Sequence, residues 1–322
     1  MSILTTANKK QGCKQVQQTS FFYSQLILFQ SRKKWGVIYA LAAIAGIFCV
    51  PEGIVAATLQ IDPQVFIMRA ISLPLAAFMI IVGMYVLNDL VDADLDKANG
   101  KKRPIPTGQV SKRQAGAFIG LTNGAGILFA SMTLNPASAV IALLIVAIGI
   151  MYSAPKIVLK DRFVIKTLSI AFAMIFCALL GSTLTFGLNL TGTDLLISTY
   201  IALMLGSMVF ITSPFNDMGD IAGDKAEGRR TIPIVIGREN TVKMAIILAA
   251  SAIATSWFFY SISTISLATS ILVSFVYSLT AMYMSKTLKR LDDTDYVRKQ
   301  HKKSLPLHIM LQSAIIIGIL LV

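Results

Sequence analysis

Two short segments of the sequence concentrate its acidic side chains. The chain has only 16 Asp and Glu residues, and most of them follow Asn88 or Asn216. If the first segment is helical, Asn88, Asp92 and Asp96 recur every four residues, with Asp89 beside them. In the second segment the acidic residues fall at positions i, i+3 and i+7, namely Asp217, Asp220 and Asp224. Each segment therefore predicts a row of oxygen ligands on one helical face.

Rows of like charge at the edge of an apolar region repel themselves and need a cation. Magnesium prefers hard oxygen ligands and is usually held by one or two carboxylates together with substrate phosphates. Two rows, one in each half of the chain, predict Mg²⁺ clusters that hold a diphosphate between them. For either row taken alone, the alternative is that its acidic residues are ordinary solvated charges of a loop. The remaining phosphate charge could be neutralised by nearby cations, which are Lys97, Lys101, Lys102, Arg103, Lys156, Lys160, Lys225, Arg229 and Arg230.

The composition of the chain indicates what class of protein carries these two rows. Of 322 residues, 55% are hydrophobic and 14% charged, against about 45–50% and 25% in soluble domains. The net charge of +13 is by itself compatible with a nucleic acid, an anionic membrane surface or an anionic substrate. A mean hydropathy of +0.70 leaves too little polar surface for a nucleic-acid binder. We therefore predict an all-α integral membrane protein with no nucleic-acid partner.

Apolar runs long enough to cross a bilayer, about 20 residues each, occur nine times. They are 36–56, 65–87, 114–134, 138–155, 167–187, 195–215, 242–260, 264–284 and 305–322. The stretch from Phe21 to Phe29 is too short to span and is expected at the membrane interface. The sequence thus predicts a cytoplasmic N-terminal segment over residues 1–35 and a nine-helix transmembrane domain over residues 36–322.

The basic residues predict the orientation. All of the 29 Lys and Arg residues except Arg69 precede the first run, lie in every second connection or, in the case of Lys243, lie at the edge of such a connection. Because short cytoplasmic loops are enriched in Lys and Arg, the N-terminus and both acidic segments are predicted to be cytoplasmic in a multi-pass cell-membrane protein. Arg69, near the start of the second run, can reach the opposite headgroups along its aliphatic stem.

A diphosphate site at the mouth of an apolar bundle suits an amphiphilic substrate. In an allylic prenyl diphosphate the C1–O bond breaks readily if metals and cations stabilise the departing diphosphate. An apolar cavity then shelters the carbocation from water. The predicted reaction is magnesium-dependent prenyl transfer to a lipophilic, membrane-soluble acceptor.

Two non-enzymatic classes compete with this interpretation. A transporter of divalent ions or anions would carry acidic residues inside several spans, but the third, fourth, fifth, eighth and ninth runs contain none. A structural scaffold in the membrane would tolerate the loss of Asp92 or Asp220. Cys13, Cys49 and Cys177 lack metal-ligand spacing, and His301 and His308 are expected to pack at the interface or in the core.

The two segments resemble the motifs of the UbiA superfamily of intramembrane prenyltransferases. The family pattern NDxxDxxxD followed by RPIPxG is matched over residues 88–108, and the pattern DxxDxxGD followed by Gly and TIP over residues 217–233. A YSxP element is present at Tyr152, Ser153 and Pro155. The resemblance implies a nine-helix bundle around a central cavity that the two acidic segments cap.

The resemblance also implies roles for individual residues. The magnesium ligands would be Asp89, Asp92, Asp96, Asp217, Asp220 and Asp224, of which Asp92 and Asp220 are the two catalytic candidates. Tyr152 and Ser153 would line the reaction centre near C1. The diphosphate would be contacted by Asn88, Arg103, Lys156 and Lys225. Arg32 would contact the acceptor or, alternatively, serve as a topology anchor.

Within the family, the RPIPTG and GDKxxGRRTIPIVIG segments are most similar to the archaeal ether-lipid branch. That similarity implies transfer of a geranylgeranyl group to the hydroxyl of geranylgeranylglyceryl phosphate. Asn216 stands where that branch has Lys and is more like the chlorophyll-synthase branch. An aromatic quinone precursor or a chlorophyll-type acceptor therefore stays open.

Overall fold

The computed structural model describes residues 20–48, 61–98, 100, 102–185 and 192–321, and these ranges contain helices and no strand. The α-helices, numbered in chain order, are α1 Phe21–Ile47, α2 Pro63–Val91, α3 Ala93–Ala98, α4 Lys112–Met132, α5 Pro136–Ser153, α6 Phe163–Ser182, α7 Gly192–Ala226, α8 Ile232–Ile236, α9 Arg238–Ser261, α10 Leu267–Thr287 and α11 Thr294–Leu320. Two short 3₁₀ turns, Leu159–Asp161 and Leu288–Arg290, lie between them.

Eight of these helices are long and apolar enough to cross a membrane: α2, α4, α5, α6, α7, α9, α10 and α11. The predicted class, a multi-pass helical membrane protein, is confirmed. Within the described ranges the count of nine is approximate. The ninth long helix, α1, carries Arg32, Lys33 and Lys34 in its middle, and these charges interrupt its apolar sequence.

Helix α1 begins at Phe21, before the predicted first span, and the Ser20 side chain accepts a hydrogen bond from the Tyr23 backbone N–H there. The stretch from Phe21 to Phe29 is the first part of this helix, and its location at the membrane interface stays a prediction. The proposed boundary between residues 35 and 36 lies inside this helix. Residues 49–56 of the predicted run lie outside the described part of the chain.

The helices pack in a closed arrangement in which α1 contacts α2, α6 and α11. Two glycines set the distance between α1 and α6. A Cβ atom on Gly46 would lie 1.9 Å from the Ala178 carbonyl oxygen, and one on Gly181 would lie 1.8 Å from the Ala43 carbonyl oxygen. The two backbones are thus in direct contact, as small residues allow in membrane helices.

The ends of α2 and α7 differ in a way that matters for the acidic residues. Helix α7 continues to Ala226, so the acidic residues of the second segment share one helix as predicted. Helix α2 ends at Val91 with Asp92 as its C-cap, and the separate helix α3 starts at Ala93. The predicted unbroken stripe from Asn88 to Asp96 is therefore wrong. The two ends of that stripe are held by different cations, as described below.

Candidate active site

A cavity of about 370 Å³ lies among α1, α2, α5, α6, α7 and α11. Its polar residues are grouped at the ends of α2 and α7: Asn88, Asp92, Arg103, Lys160, Lys166, Asn216, Asp217, Asp220, Asp224 and Arg229. Its apolar wall includes Ile38, Ile81, Ile145, Ile148, Ile170 and Met174. Both acidic segments therefore face one space that has charged side chains at one end and a mostly apolar wall elsewhere.

Arg229 joins the two acidic segments directly. One guanidinium nitrogen lies 3.7 Å from Asp92 Oδ2 and another lies 3.4 Å from Asp224 Oδ1. The same side chain is 3.1 Å from Asp161 Oδ1 and 2.8 Å from Glu227 Oε2. Burial by itself lowers the pKa of Arg229, but the surrounding carboxylates outweigh burial and raise that pKa above its usual value. Arg229 is thus a permanent positive charge between the two segments.

A buried lysine holds the part of the first segment that faces the cavity. Lys160 Nζ lies 2.5 Å from Asp92 Oδ1 and donates a hydrogen bond to Asn88 Oδ1 at 3.2 Å. Ser153 Oγ donates to the same Asn88 oxygen at 3.3 Å. Lys160 is only 5% exposed. The 3₁₀ turn that carries it therefore delivers a positive charge to the polar end of the cavity.

The other two carboxylates of the first segment are buried beside the cavity and do not line it. Asp89 receives a bidentate contact from Arg32, whose Nε lies 2.7 Å from Oδ2 and whose second nitrogen contacts Oδ1. Arg103 donates to Asp89 Oδ1 at 2.9 Å and to Asp96 Oδ2 at 2.7 Å. Because bidentate and bridging pairs fix side-chain geometry, these two carboxylates position the arginines in this structure. Their role as magnesium ligands stays a prediction.

The second segment has one buried ion pair and one exposed pair. Lys166 Nζ lies 2.6 Å from Asp217 Oδ1, and both side chains are almost fully buried. Asp220 is half exposed and lies 2.9 Å from Arg298 of α11. Asp217 Oδ2 and Asp224 Oδ2 are buried and have no hydrogen-bond partner among the described residues.

These donors fit magnesium. All the candidate ligands are hard oxygen atoms, and two buried carboxylate oxygens have free lone pairs. In the part of the chain that the structure describes, no three His, Cys, Asp or Glu side chains converge closely enough to hold a metal by themselves. Such an open set is what Mg²⁺ uses when substrate phosphates complete its coordination.

Two lysines predicted to contact the diphosphate lie elsewhere. Lys156 and Lys225 are exposed and do not line the cavity. Lys160 and Lys166 line it. Lys160 belonged to the wider group of cations named from the sequence, whereas Lys166 was missed. The sequence does contain a signal for this residue. Lys166 is the only charged residue in α6, and an isolated charge in an apolar helix indicates a functional site.

The remaining predicted residues divide between the cavity wall and its support. Tyr152 and Arg32 line the cavity, and the Arg32 guanidinium carbon lies 5.9 Å from the centre of the Tyr85 ring. Ser153 is buried behind the wall and contacts Asn88. His301 and His308 also line the cavity, and His308 is buried there.

Comparison with known families decides what kind of protein has this architecture. The UbiA prenyltransferase family matches residues 43–311. The chain belongs to the UbiA prenyltransferase family. Its similarity to curated members includes the digeranylgeranylglyceryl phosphate synthase of Methanoculleus marisnigri, 31% identical over 182 residues, which are 55% of this chain and 61% of that relative. The corresponding protein of Natronomonas pharaonis is 32% identical over 161 residues, 49% of this chain and 54% of the relative. The match thus spans little more than half the length of these relatives.

Solved structures of UbiA proteins share the fold of this family member. A structure from work on digeranylgeranylglyceryl phosphate synthase in membranes is 19% identical and covers 94% of this chain and 100% of its own, with a TM-score of 0.69. A UbiA homologue from Archaeoglobus fulgidus bound to DMAPP and Mg²⁺ is 17% identical and covers 87% of this chain and 99% of its own, with a TM-score of 0.59. These similarities show that the helical arrangement is that of UbiA proteins.

Proposed function

We propose that this UbiA-family protein transfers a prenyl group from its diphosphate to a lipophilic acceptor in the membrane and that the reaction requires Mg²⁺. One observation carries the proposal. Asp92 at the end of α2 and the acidic side chains of α7, which are far apart in the sequence, face the same cavity, and most of the remaining wall is apolar. A charged diphosphate and a hydrocarbon chain would both be accommodated there.

The magnesium ions would be held by Asn88 and Asp92 on one side and by Asp217, Asp220 and Asp224 on the other, directly or through water. Bound Mg²⁺ would supply neutralisation of the diphosphate charge. Asp89 and Asp96 support this site by holding Arg32 and Arg103, and their direct coordination of metal is a further possibility of the same family motif.

Three cations line the polar end of the cavity within reach of these carboxylates: Lys160, Lys166 and Arg229. They would contact the diphosphate oxygens on which negative charge develops as the C1–O bond breaks. Ion pairs with the carboxylates hold the three side chains in place before substrate arrives, which reduces the reorganisation that the reaction requires.

The wall below the polar end would protect the developing carbocation. Tyr152 and Tyr85 line the cavity, and Trp35 stacks on Tyr85 with ring centres 5.4 Å apart. Aromatic faces attract positive charge, and the apolar side chains around them exclude water. The allylic carbon would therefore lie between the cations and these rings.

For the acceptor we propose geranylgeranylglyceryl phosphate, with geranylgeranyl diphosphate as the donor. The support is that several relatives at 30–32% identity are digeranylgeranylglyceryl phosphate synthases. Arg32 and Arg103 also line the cavity and could bind a second phosphate. In this proposal the polar end faces the cytoplasm of a multi-pass protein in the cell membrane.

A second class of acceptor is supported by Asn216, which lines the cavity next to Asp217. A neutral amide at this position suits an acceptor without a phosphate, such as an aromatic quinone precursor or a chlorophyll-type molecule. This alternative differs from the first only in the acceptor, so one set of assays separates them.

The test uses purified protein in lipid nanodiscs with geranylgeranyl diphosphate. Geranylgeranylglyceryl phosphate and aromatic acceptors are offered separately, and products are identified by mass spectrometry. We expect an ether product with the lipid phosphate, none after EDTA treatment, and recovery when Mg²⁺ is restored. Turnover with aromatic acceptors alone would select the second class. No product with any acceptor, together with ion flux in proteoliposomes, would indicate a transporter.

A further inference from the structure

His301 of α11 lines the same cavity, and one of its ring nitrogens is free. Nδ1 is buried and has no hydrogen-bond partner among the described residues. A neutral imidazole with its proton on Nε2 presents a lone pair on Nδ1.

Two contacts between α11 and α7 place His301 at a useful depth. Arg298, three residues before His301, lies 2.9 Å from Asp220, and His308, seven residues after it, lies 2.9 Å from Thr212 Oγ1. The imidazole therefore lies between the acidic row and the apolar wall of the cavity. The reacting C1 of a prenyl diphosphate held by that row would lie at this level, since C1 is bonded to the diphosphate.

The second cavity histidine differs from His301. His308 Nε2 lies 2.9 Å from Thr212 Oγ1, and the ring is 8% exposed. Its Nε2 is thus engaged by a hydroxyl group of α7. Of the two cavity histidines, His301 is therefore the one whose Nδ1 is buried without a hydrogen-bond partner among the described residues.

We propose that His301 Nδ1 accepts the proton of the acceptor hydroxyl during prenyl transfer, an inference that rests on the proposed function. The C1–O bond to the diphosphate breaks and its electron pair leaves with the diphosphate. The acceptor oxygen forms a bond to C1, and the hydroxyl proton moves to His301 Nδ1. Removal of the proton commits the reaction, because a protonated ether can expel the prenyl cation again. If the proton is not removed, the expelled cation is captured by water, which gives the prenyl alcohol.

The experiment compares His301→Gln and His301→Asn with Lys302→Gln, an exposed neighbour on the same helix. Each protein is given geranylgeranyl diphosphate, Mg²⁺ and geranylgeranylglyceryl phosphate, and released diphosphate, ether and geranylgeraniol are quantified. General bases contribute about 10²- to 10⁴-fold, so we expect ether formation to fall about 100-fold in both His301 variants. Diphosphate release without acceptor should stay within about threefold of the unaltered protein, and Lys302→Gln should behave like that protein.

Three results would overturn the inference while leaving the proposed function intact. The first is an unchanged ratio of ether to geranylgeraniol in the His301 variants. The second is equal loss of diphosphate release and ether formation in folded variants, which would make His301 a diphosphate ligand. The third is failure of added imidazole to restore ether formation to the His301→Ala variant. This rescue experiment also tests the inference if the Gln and Asn variants do not fold. Absence of ether from the unaltered protein with every hydroxyl acceptor would instead reject the proposed function itself.

Discussion

Three of the four carboxylates that line the cavity are each matched by a cation from another part of the chain. Asp92 contacts Lys160, Asp217 contacts Lys166, and Asp220 contacts Arg298. These pairs neutralise rows of like charge that would otherwise repel. They also bring cations to the place where phosphate oxygens would bind. Pairing by residues distant in sequence therefore serves both the stability of the bundle and the proposed chemistry.

We expect Asp92→Asn and Asp220→Asn to reduce turnover at least about 100-fold, since each removes a charged ligand from the metal–diphosphate site. The bundle should remain folded, because the substitutions conserve size. Steady-state kinetics measure the loss of turnover, and a thermal melt measures whether the variants stay folded. Asp94→Asn is the matched control, because Asp94 is exposed and its ion pair among the described residues is with exposed Lys112, and such pairs contribute little. Full activity of Asp220→Asn would contradict the assigned metal site.

A pair of lysines separates the sequence-based assignment from the structural one. Lys160→Met should lower kcat/KM at least about tenfold, because the residue lies in the cavity within 2.5 Å of Asp92. Lys156→Met should change kcat/KM by less than about threefold, because Lys156 is exposed outside the cavity. The measurement is the initial rate at varied geranylgeranyl diphosphate. The reverse order of effects would restore Lys156 as the phosphate contact.

At the scale of elements, the site depends on how two helices end and on how closely two others approach. The break after Val91 separates Asp92, which faces the cavity, from Asp96, which pairs with Arg103. Helix α7 has no such break, so the three acidic residues of the second segment share one helix. The contact of α1 with α6 places Arg32 and Lys166 on neighbouring walls of the same cavity.

We expect Gly181→Ala to destabilise the protein by about 1–3 kcal/mol, the usual cost of overpacking. The new methyl group would meet the Ala43 carbonyl at 1.8 Å, and backbone cannot move aside as a side chain can. Gly124→Ala in α4 is the control, because no atom lies within 4 Å of its Cβ position. That change should be neutral or slightly stabilising. Equal thermal or denaturant stability of the two variants would contradict the direct contact of α1 and α6.

At the scale of the whole molecule, the closed arrangement of helices turns two separate acidic segments into one site. The cavity draws its wall from six helices, whereas α4, α9 and α10 contribute none of its described lining residues. Binding of a ligand that contacts both α2 and α7 should therefore stabilise the bundle as a unit. A ligand held by only one of them should have a smaller effect.

Mg²⁺ with inorganic diphosphate should raise the melting temperature by about 5 °C at saturation, because ligands that bind only the folded state stabilise it by mass action. Mg²⁺ alone should raise it much less, since no three acidic or histidine side chains converge within the described residues. Asp217→Asn should lose most of the shift. The measurement is a thermal melt in detergent, with Ca²⁺ and phosphate as controls. An equal shift with Mg²⁺ alone would indicate a complete protein-only metal site.

The sequence by itself determined the class of fold and the two acidic segments. Apolar runs of about 20 residues form helices in a bilayer whatever their neighbours are, and the spacing of Asp217, Asp220 and Asp224 follows from the helical repeat alone. The alternation of basic residues predicted the orientation on the same local grounds.

The tertiary structure alone decided which cations accompany which carboxylates. The pairs Lys166–Asp217, Arg32–Asp89 and Arg229–Asp92 join residues on different elements. Four residues of a turn separate Lys156 outside the cavity from Lys160 inside it, and no local pattern records that difference. The break after α2 and the free nitrogen of His301 likewise depend on neighbours that the chain brings together only when it folds. Local periodicity fixes which face a residue occupies, whereas packing between distant helices fixes what that face meets.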